Sequence, residues 1–350
     1  MRPSTGTILD KLAGYLLTPF DSLEVFLASI AGAITAFTDL RSRTGWLYLL
    51  TSFAIASVVY AVGRKRGAIE QNSLMRFLFP REIYGQRSAI ADYKFVAIDL
   101  TVKSVLYTPL ITVVSLLVYK AASGLVGGWP LWQSAAGVVS GSIAVPILAV
   151  LAADFALFFY HYLMHKVPIL WYFHQPHHSA EVLTPLTVYR QHPAEDLLYG
   201  MVAGAISGMG ATIYTIETGK VVTVPTIFEV NVVQFLFFAF AFQLRHSHVW
   251  LSYGPVLSRI FISPAQHQVH HSRDPRHWNK NFGFAFAFWD ALFRSLYVPK
   301  AREVLSFGLN DTDPGDFLTV KKLYFLPFVK AARLFRAQAR DVLSPILMRK

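Results

Sequence analysis

The apolar residues of this 350-residue chain fall into runs of 16 to 24 residues with few or no charges. Such runs can cross the hydrocarbon core of a bilayer, about 30 Å thick. The expected fold is therefore all-α, an integral membrane bundle of four to six helices. Composition agrees, with 54% hydrophobic and only 15% charged residues, and sets aside the two soluble domains that length alone would suggest. The absence of cysteine excludes disulfides, thiolate nucleophiles, iron–sulfur clusters and cysteine-ligated haem or zinc. Any metal must sit on His, Asp or Glu.

Met1–Phe20 has no small-residue cleavage site and reads as retained. Val25–Phe37 is short enough to be re-entrant or interfacial. Trp46–Val62 is a better span, followed by Arg64-Lys65-Arg66, and Ser104–Tyr119 is another, with a kink expected at Pro109. Ala135–Ala153 runs without a break into Asp154–Tyr160. Leu197–Ile216 and Val221–Leu244, joined at Thr218-Gly219-Lys220, read as a helical hairpin. Phe282–Tyr297, interrupted by Asp290 and Arg294, reads as a helix on or just under the interface. The tail from Phe317 to Lys350 interleaves six Lys and Arg with Leu, Phe and Val before its last two basic residues. It reads as a basic amphipathic surface helix, or alternatively as a docking surface for an acidic redox partner.

Charge sets an orientation. The chain carries 32 basic against 21 acidic residues, a net +11. Residues 64–94 hold seven of the basic ones, whereas 121–134 hold none. The positive-inside rule puts the former segment in the cytoplasm and the latter outside. Counting spans onward brings every histidine to the cytoplasmic face. No nucleic-acid motif accompanies the positive charge, so anionic headgroups are the expected counterpart. The organisation expected is a membrane region at 1–94, a catalytic region at 95–300 and a basic tail at 301–350.

All 12 histidines lie between His161 and His277. His161 and His165, four apart on a helix, share one face about 6 Å apart, a platform for a metal, although a lone pair of this kind also arises from packing. Asp154 falls on the same face two turns earlier, expected to orient an imidazole N–H or to bridge helices rather than to ligate. The pattern HQxHHS then occurs twice, as His174-Gln175-Pro176-His177-His178-Ser179 and as His267-Gln268-Val269-His270-His271-Ser272. Imidazole suits iron, zinc, copper and nickel, and eight histidines in three motifs exceed what one ion can hold. Two metals are implied. His246 is expected to join them, with His248 its rival. His192, before the helix-starting Pro193, either joins the site or only shapes that turn. His277 reads as solvated or as a neighbour of the ligands.

At this point the residues resemble a known family, the fatty acid hydroxylase or sterol desaturase superfamily of membrane-bound di-iron oxygenases. The resemblance runs from about Asp154 to Tyr297. It rests on His161-x3-His165, His174-x2-His177-His178, Leu183 to Pro193, Arg245-His246-Ser247, His267-x2-His270-His271, and Asn281-Phe282-Gly283 leading to Trp289-Asp290. It implies a membrane helical domain capped by a cytosolic metal-binding region. It also implies two iron ions held by the eight box histidines and His246, with O2 as co-substrate. Two departures stand out: His248 where the family often has Asn, and Phe293-Arg294-Ser295 in place of Phe-Gly-Thr.

The activity implied is hydroxylation of a C–H bond in a lipid or sterol-type substrate drawn from the bilayer. Phe235, Phe237, Phe238 and Phe240 are candidates to line its path, although each taken singly reads first as lipid-facing or core packing. Desaturation and alkylglycerol ether oxidation are alternatives within the family; a zinc hydrolase or a metal transporter is the alternative from another class. Transport would need charge within the spans, and Glu229, the main candidate, reads as distant from the cluster. No strand–GxGxxG–helix unit is present, and Gly200, Gly204 and Gly208 read as helix packing. Electrons are expected from a separate ferredoxin or cytochrome b5 type donor with its reductase. The expected location is a bacterial inner membrane or the endoplasmic reticulum.

Overall fold

A computed structural model of the chain describes residues 13–35 apart from 15, 38–39, 45–127, 144–218, 226–227, 230–310 apart from 241, and 312–347 apart from 314. The architecture is all-α. In chain order the principal helices are α1 (Leu23–Thr35), α2 (Trp46–Lys65), α3 (Arg87–Val102), α4 (Thr108–Gly127), α5 (Ala144–Lys166), α6 (Pro168–His178), α7 (Pro193–Thr218), α8 (Val232–Ala239), α9 (Pro264–His270), α10 (Phe288–Leu292) and α11 (Val320–Leu347). Four stretches are long and apolar enough to cross a membrane: Trp46–Lys65, Arg87–Val126, Ile147–Lys166 and Pro193–Ile213. The chain is an integral membrane protein.

Helices α3 and α4 form one rod, joined by a π-helical turn over Lys103–Tyr107. The irregularity precedes Pro109 because that residue has no N–H to offer the carbonyl four positions back. Helix α7 lies along α4. A Cβ on Gly200 would stand 2.3 Å from Ser115 Oγ, and one on Gly204 or Gly208 would stand 2.6 Å from the Ser115 carbonyl oxygen or 2.5 Å from that of Tyr119. The absence of side chains every four residues is what lets the two backbones meet.

Two prolines start the helices that carry the repeated motif. Val167 is extended, and Pro168 at the first position of α6 turns the chain away from the end of α5. Ser263 caps α9, where Pro264 follows and Gln266 completes a capping box. Between α6 and α7, Arg190 is fully buried and bonds the Pro176 carbonyl, Ser179 Oγ, the Phe317 carbonyl and the Asp92 carboxylate. One guanidinium thus ties α3, the end of α6 and the segment before α11.

Two sequence expectations change. Val221–Leu244 is not one helix: Thr226–Ile227 pairs with Val230–Asn231, α8 follows, and a 3-10 turn covers Phe242–His246. Residues 219–220 of the expected hairpin link, residues 135–143 of the next span upstream, and Glu229 lie outside the described residues. Phe282–Tyr297 is not an interfacial helix either. Its only helix is α10, because Asp290 points inward and accepts hydrogen bonds from the Phe282 and Gly283 N–H groups and from Ser295 Oγ. The phenylalanines at 235–240 take the packing alternative: Phe238 is buried with Tyr48 and Phe242, Phe235 and Phe237 pack on that cluster, and Phe240 is exposed.

Candidate metal centre

Nine histidines converge in two adjacent groups. His161, His165, His174, His178 and His270 form the first, and His177, His246, His267 and His271 the second; within each, the candidate ligand atoms lie within 4.8 Å of one another. Helical geometry sorts them. His174 and His178, four apart on α6, turn to the first group, whereas His177 turns to the second. On the second motif the assignment is exchanged, since His267 and His271 go to the second group and His270 to the first. Each HQxHHS motif therefore serves both sites. His161 and His165 complete the first from the end of α5, their rings 5.1 Å apart, and His246 completes the second from the 3-10 turn. The groups abut: the His178 ring lies 4.7 Å from that of His270 and 4.6 Å from that of His271.

The outward nitrogens are held by fixed partners. His161 Nδ1 bonds the Phe282 carbonyl at 2.9 Å, His270 Nδ1 the Lys280 carbonyl at 2.7 Å, and His174 Nδ1 the Glu195 carboxylate at 2.7 Å. Each of these acceptors calls for N–H at Nδ1, which leaves the Nε2 lone pair facing inward. Arg245, itself buried, donates to the Gly283 carbonyl, and its guanidinium lies 3.0 Å from His267 Nδ1. Burial lowers its pKa to about 10, which leaves it charged at neutral pH.

This donor set fits metal ions. The buried Nε2 atoms of His165, His178 and His270 have no hydrogen-bond partner, an arrangement that is costly without a ligand. In the second group His246 Nε2 is 3.3, 3.0 and 3.1 Å from the Nε2 atoms of His177, His267 and His271. One nitrogen cannot share a proton with three others, whereas nitrogen–metal bonds of about 2.0–2.1 Å set adjacent ligand nitrogens roughly 3.0–3.4 Å apart. Burial pushes His174, His178, His267, His270 and His271 well below the usual histidine range, and nearby imidazoles, preceded at His267 by the Arg245 guanidinium, push them further. They are neutral, the form that ligates.

The remaining candidates lie elsewhere. His192 Nε2 bonds the Tyr324 carbonyl at 3.0 Å and His248 Nε2 the Phe77 carbonyl at 2.6 Å, outside both groups. His277 is buried against Glu303 rather than solvated. Asp154 accepts hydrogen bonds from the Ala285 and Phe286 N–H groups and from Trp289 Nε1, so it holds the 282–289 loop on α5. The carboxylate that does orient an imidazole is Glu195. Its sequence signal is an acidic pair, Glu195-Asp196, opening an otherwise apolar span.

Two cavities reach the site. One of about 270 Å³ is lined by His165, His178, His270 and His271 together with Trp171, Gln175, Arg273, Trp278 and Asn310. The other, about 50 Å³, touches His161, His174, His177, His246 and His267 and is otherwise mainly apolar, with Leu157, Val188, Phe242, Phe282 and Phe284. The first offers polar groups to one side of the histidines, and the second a largely apolar, phenylalanine-rich wall that also includes Arg245 and Gln191.

Residues 146–295 match the family model for the fatty acid hydroxylases. An alkylglycerol monooxygenase of Caenorhabditis elegans is 29% identical over 157 residues, 45% of this chain and 28% of that protein. The ornithine lipid hydroxylase OlsE of Rhizobium tropici is 28% identical over 172 residues, 49% of this chain and 47% of that one. The very-long-chain aldehyde decarbonylase GL1-9 of Oryza sativa subsp. indica is 27% identical over 217 residues, 59% and 73% of the two chains. The match spans about a third of the length of the alkylglycerol monooxygenases. No solved structure matches the chain.

Proposed function

Starting from a chain that belongs to the fatty acid hydroxylase superfamily, we propose that it is a membrane-bound di-iron oxygenase that hydroxylates a C–H bond of a lipid or sterol-type substrate. The observation that carries this reading is the pair of buried histidine groups, five and four, side by side. In this proposal His161, His165, His174, His178 and His270 hold one iron, and His177, His246, His267 and His271 the other. Two irons there would supply activation of O2 and removal of hydrogen from an unactivated carbon.

The chain's own residues prepare that chemistry. Glu195 and the Phe282 and Lys280 carbonyls keep three imidazoles aimed inward. Asp154 and Asp290 pin the loop that supplies Phe282. The apolar walls of the smaller cavity would receive an alkyl segment and exclude water from it. The relatives' names support an amphiphilic lipid as substrate, an alkylglycerol or an aminolipid among them. The catalytic region is taken as 95–300, with the histidines on the cytoplasmic side of a bacterial inner membrane or the endoplasmic reticulum. A separate ferredoxin or cytochrome b5 type donor would deliver electrons there.

Lipid mass spectrometry of cells with and without the protein tests the reaction: a lipid gaining 16 mass units is expected for hydroxylation, and loss of 2 would replace it with desaturation. Metal analysis tests the centre, with about two irons per chain expected. Stoichiometric zinc without iron-dependent O2 uptake would overturn the oxygenase reading in favour of a hydrolase.

A further inference from the structure

Helix α11 divides into three lengthwise sectors. At about 100° per residue, Leu323, Pro327 and Ala331 fall on one side and are buried against the body of the protein. Phe325, Phe328, Ala332 and Phe335 fall together on a second side, and their rings are 60%, 53% and 60% exposed for the three phenylalanines. Lys322, Arg333, Arg336 and Arg340 form a third stripe, all exposed. Between residues 320 and 340 the sequence has six Lys and Arg and no Asp or Glu.

The first turn of α11 is fixed at the level where the spans begin. Tyr324 Oη donates to Asp99 Oδ1 at 2.6 Å, Asp99 pairs with Lys103, and Lys103 pairs with Asp196 in the first turn of α7. A helix tethered there, with three part-exposed phenylalanines beside a stripe of Lys322, Arg333, Arg336 and Arg340 that also holds exposed Val329, matches a bilayer surface: rings in the acyl boundary, guanidinium groups among phosphates. An acidic soluble partner would complement the arginines but not the rings.

We propose that α11 is an in-plane membrane anchor whose basic stripe binds the anionic headgroups of the bilayer that holds the spans. Its inner side reaches the proposed metal centre's support, since Lys330 Nζ donates to Gln175 Oε1 of α6 at 3.1 Å and the Phe328 ring lies 5.1 Å from that of Phe173. Headgroup binding would thus hold α6 at a fixed depth. The proposal does not depend on which reaction the histidines support.

The chain lacks cysteine, so a single introduced thiol carries a spin label without background. Full-length Phe335→Cys and Arg336→Cys, both at exposed positions, are labelled in nanodiscs of phosphatidylcholine alone or with added phosphatidylglycerol, and power saturation is read with O2 and with a nickel chelate. The label at 335 should be accessible to O2 and shielded from nickel, and the label at 336 accessible to nickel. Phosphatidylglycerol should lower nickel access at 335 several-fold, and Arg333→Gln, Arg336→Gln and Arg340→Gln combined should remove that dependence. Equal nickel access at both positions in both lipids overturns the anchor. Shielding that ignores lipid charge overturns headgroup binding, and spin–spin broadening relieved by unlabelled protein assigns the face to a second copy instead.

Discussion

Glu195 shows how one side chain can govern a site without joining it. One carboxylate oxygen accepts the His174 Nδ1 proton at 2.7 Å, and the other accepts the His192 backbone N–H at 3.1 Å. Partners of this kind typically change metal affinity by about 10–100-fold when removed. Glu195→Gln keeps the volume but removes the charge, so the variant should lose iron on dialysis at chelator concentrations the parent withstands. Unchanged retention would argue against the role. The histidine groups themselves were legible because HQxHHS appears twice and lies beside a His-x3-His pair. Glu195 was not, since its partner lies 21 residues upstream. The Phe282 and Lys280 carbonyls could not be read at all, as any residue supplies them. His192, an open choice in the sequence, gives a separate test. Burial holds it near pKa 4 in the fold, against about 6.5 when unfolded. Above about pH 6.5 both states are neutral and its contribution to stability is complete. As pH falls from there toward 4 only the unfolded chain gains the proton, and up to roughly 3 kcal/mol is lost. Thermal unfolding of His192→Gln should therefore decline less steeply on acidification over that window.

At the scale of elements, spans were easier to read than their interruptions. Helix α2 and the α4 part of the rod follow from apolar length, whereas α3 begins inside the segment read as a basic loop, and the Gly200, Gly204 and Gly208 spacing pointed to the close helix contact that the structure has. The short pieces at 226–246 and α10 follow from tertiary bonds, such as those of Asp290, that periodicity does not register. Arg294 adds a related detail: its φ of 60° is left-handed, which accounts for glycine in the family's usual pattern there. The glycine contact is directly testable. Gly204→Leu would drive a Cβ into the Ser115 carbonyl, and should cost about 1–3 kcal/mol, read as a lower Tm in detergent or as failure to accumulate. Gly210, with no heavy atom within 4 Å of a built Cβ, provides the contrast: Gly210→Ala should leave Tm unchanged or raise it, because alanine favours helix by about 1 kcal/mol.

For the whole molecule, the rod from Arg87 to Val126 is 40 residues long, about 60 Å at 1.5 Å per residue and roughly twice the hydrocarbon thickness. The rod is thus longer than a single crossing needs, and Arg190 bonds its first half, at Ser88 and Asp92, to the end of α6 beside the histidines. Those histidines form two unequal nests of imidazole, one with five nitrogens and one with four. Unequal nests should not let go together. Stopped-flow mixing of iron-loaded protein with a strong chelator should resolve two phases, the four-nitrogen site emptying first and leaving a singly loaded species, and His165→Ala should bring the two rates closer. A single exponential carrying both ions would contradict the asymmetry. If the phases do separate, an intermediate chelator concentration should leave a chain that keeps one ion in the five-nitrogen nest while its four-nitrogen neighbour stands open to exchange.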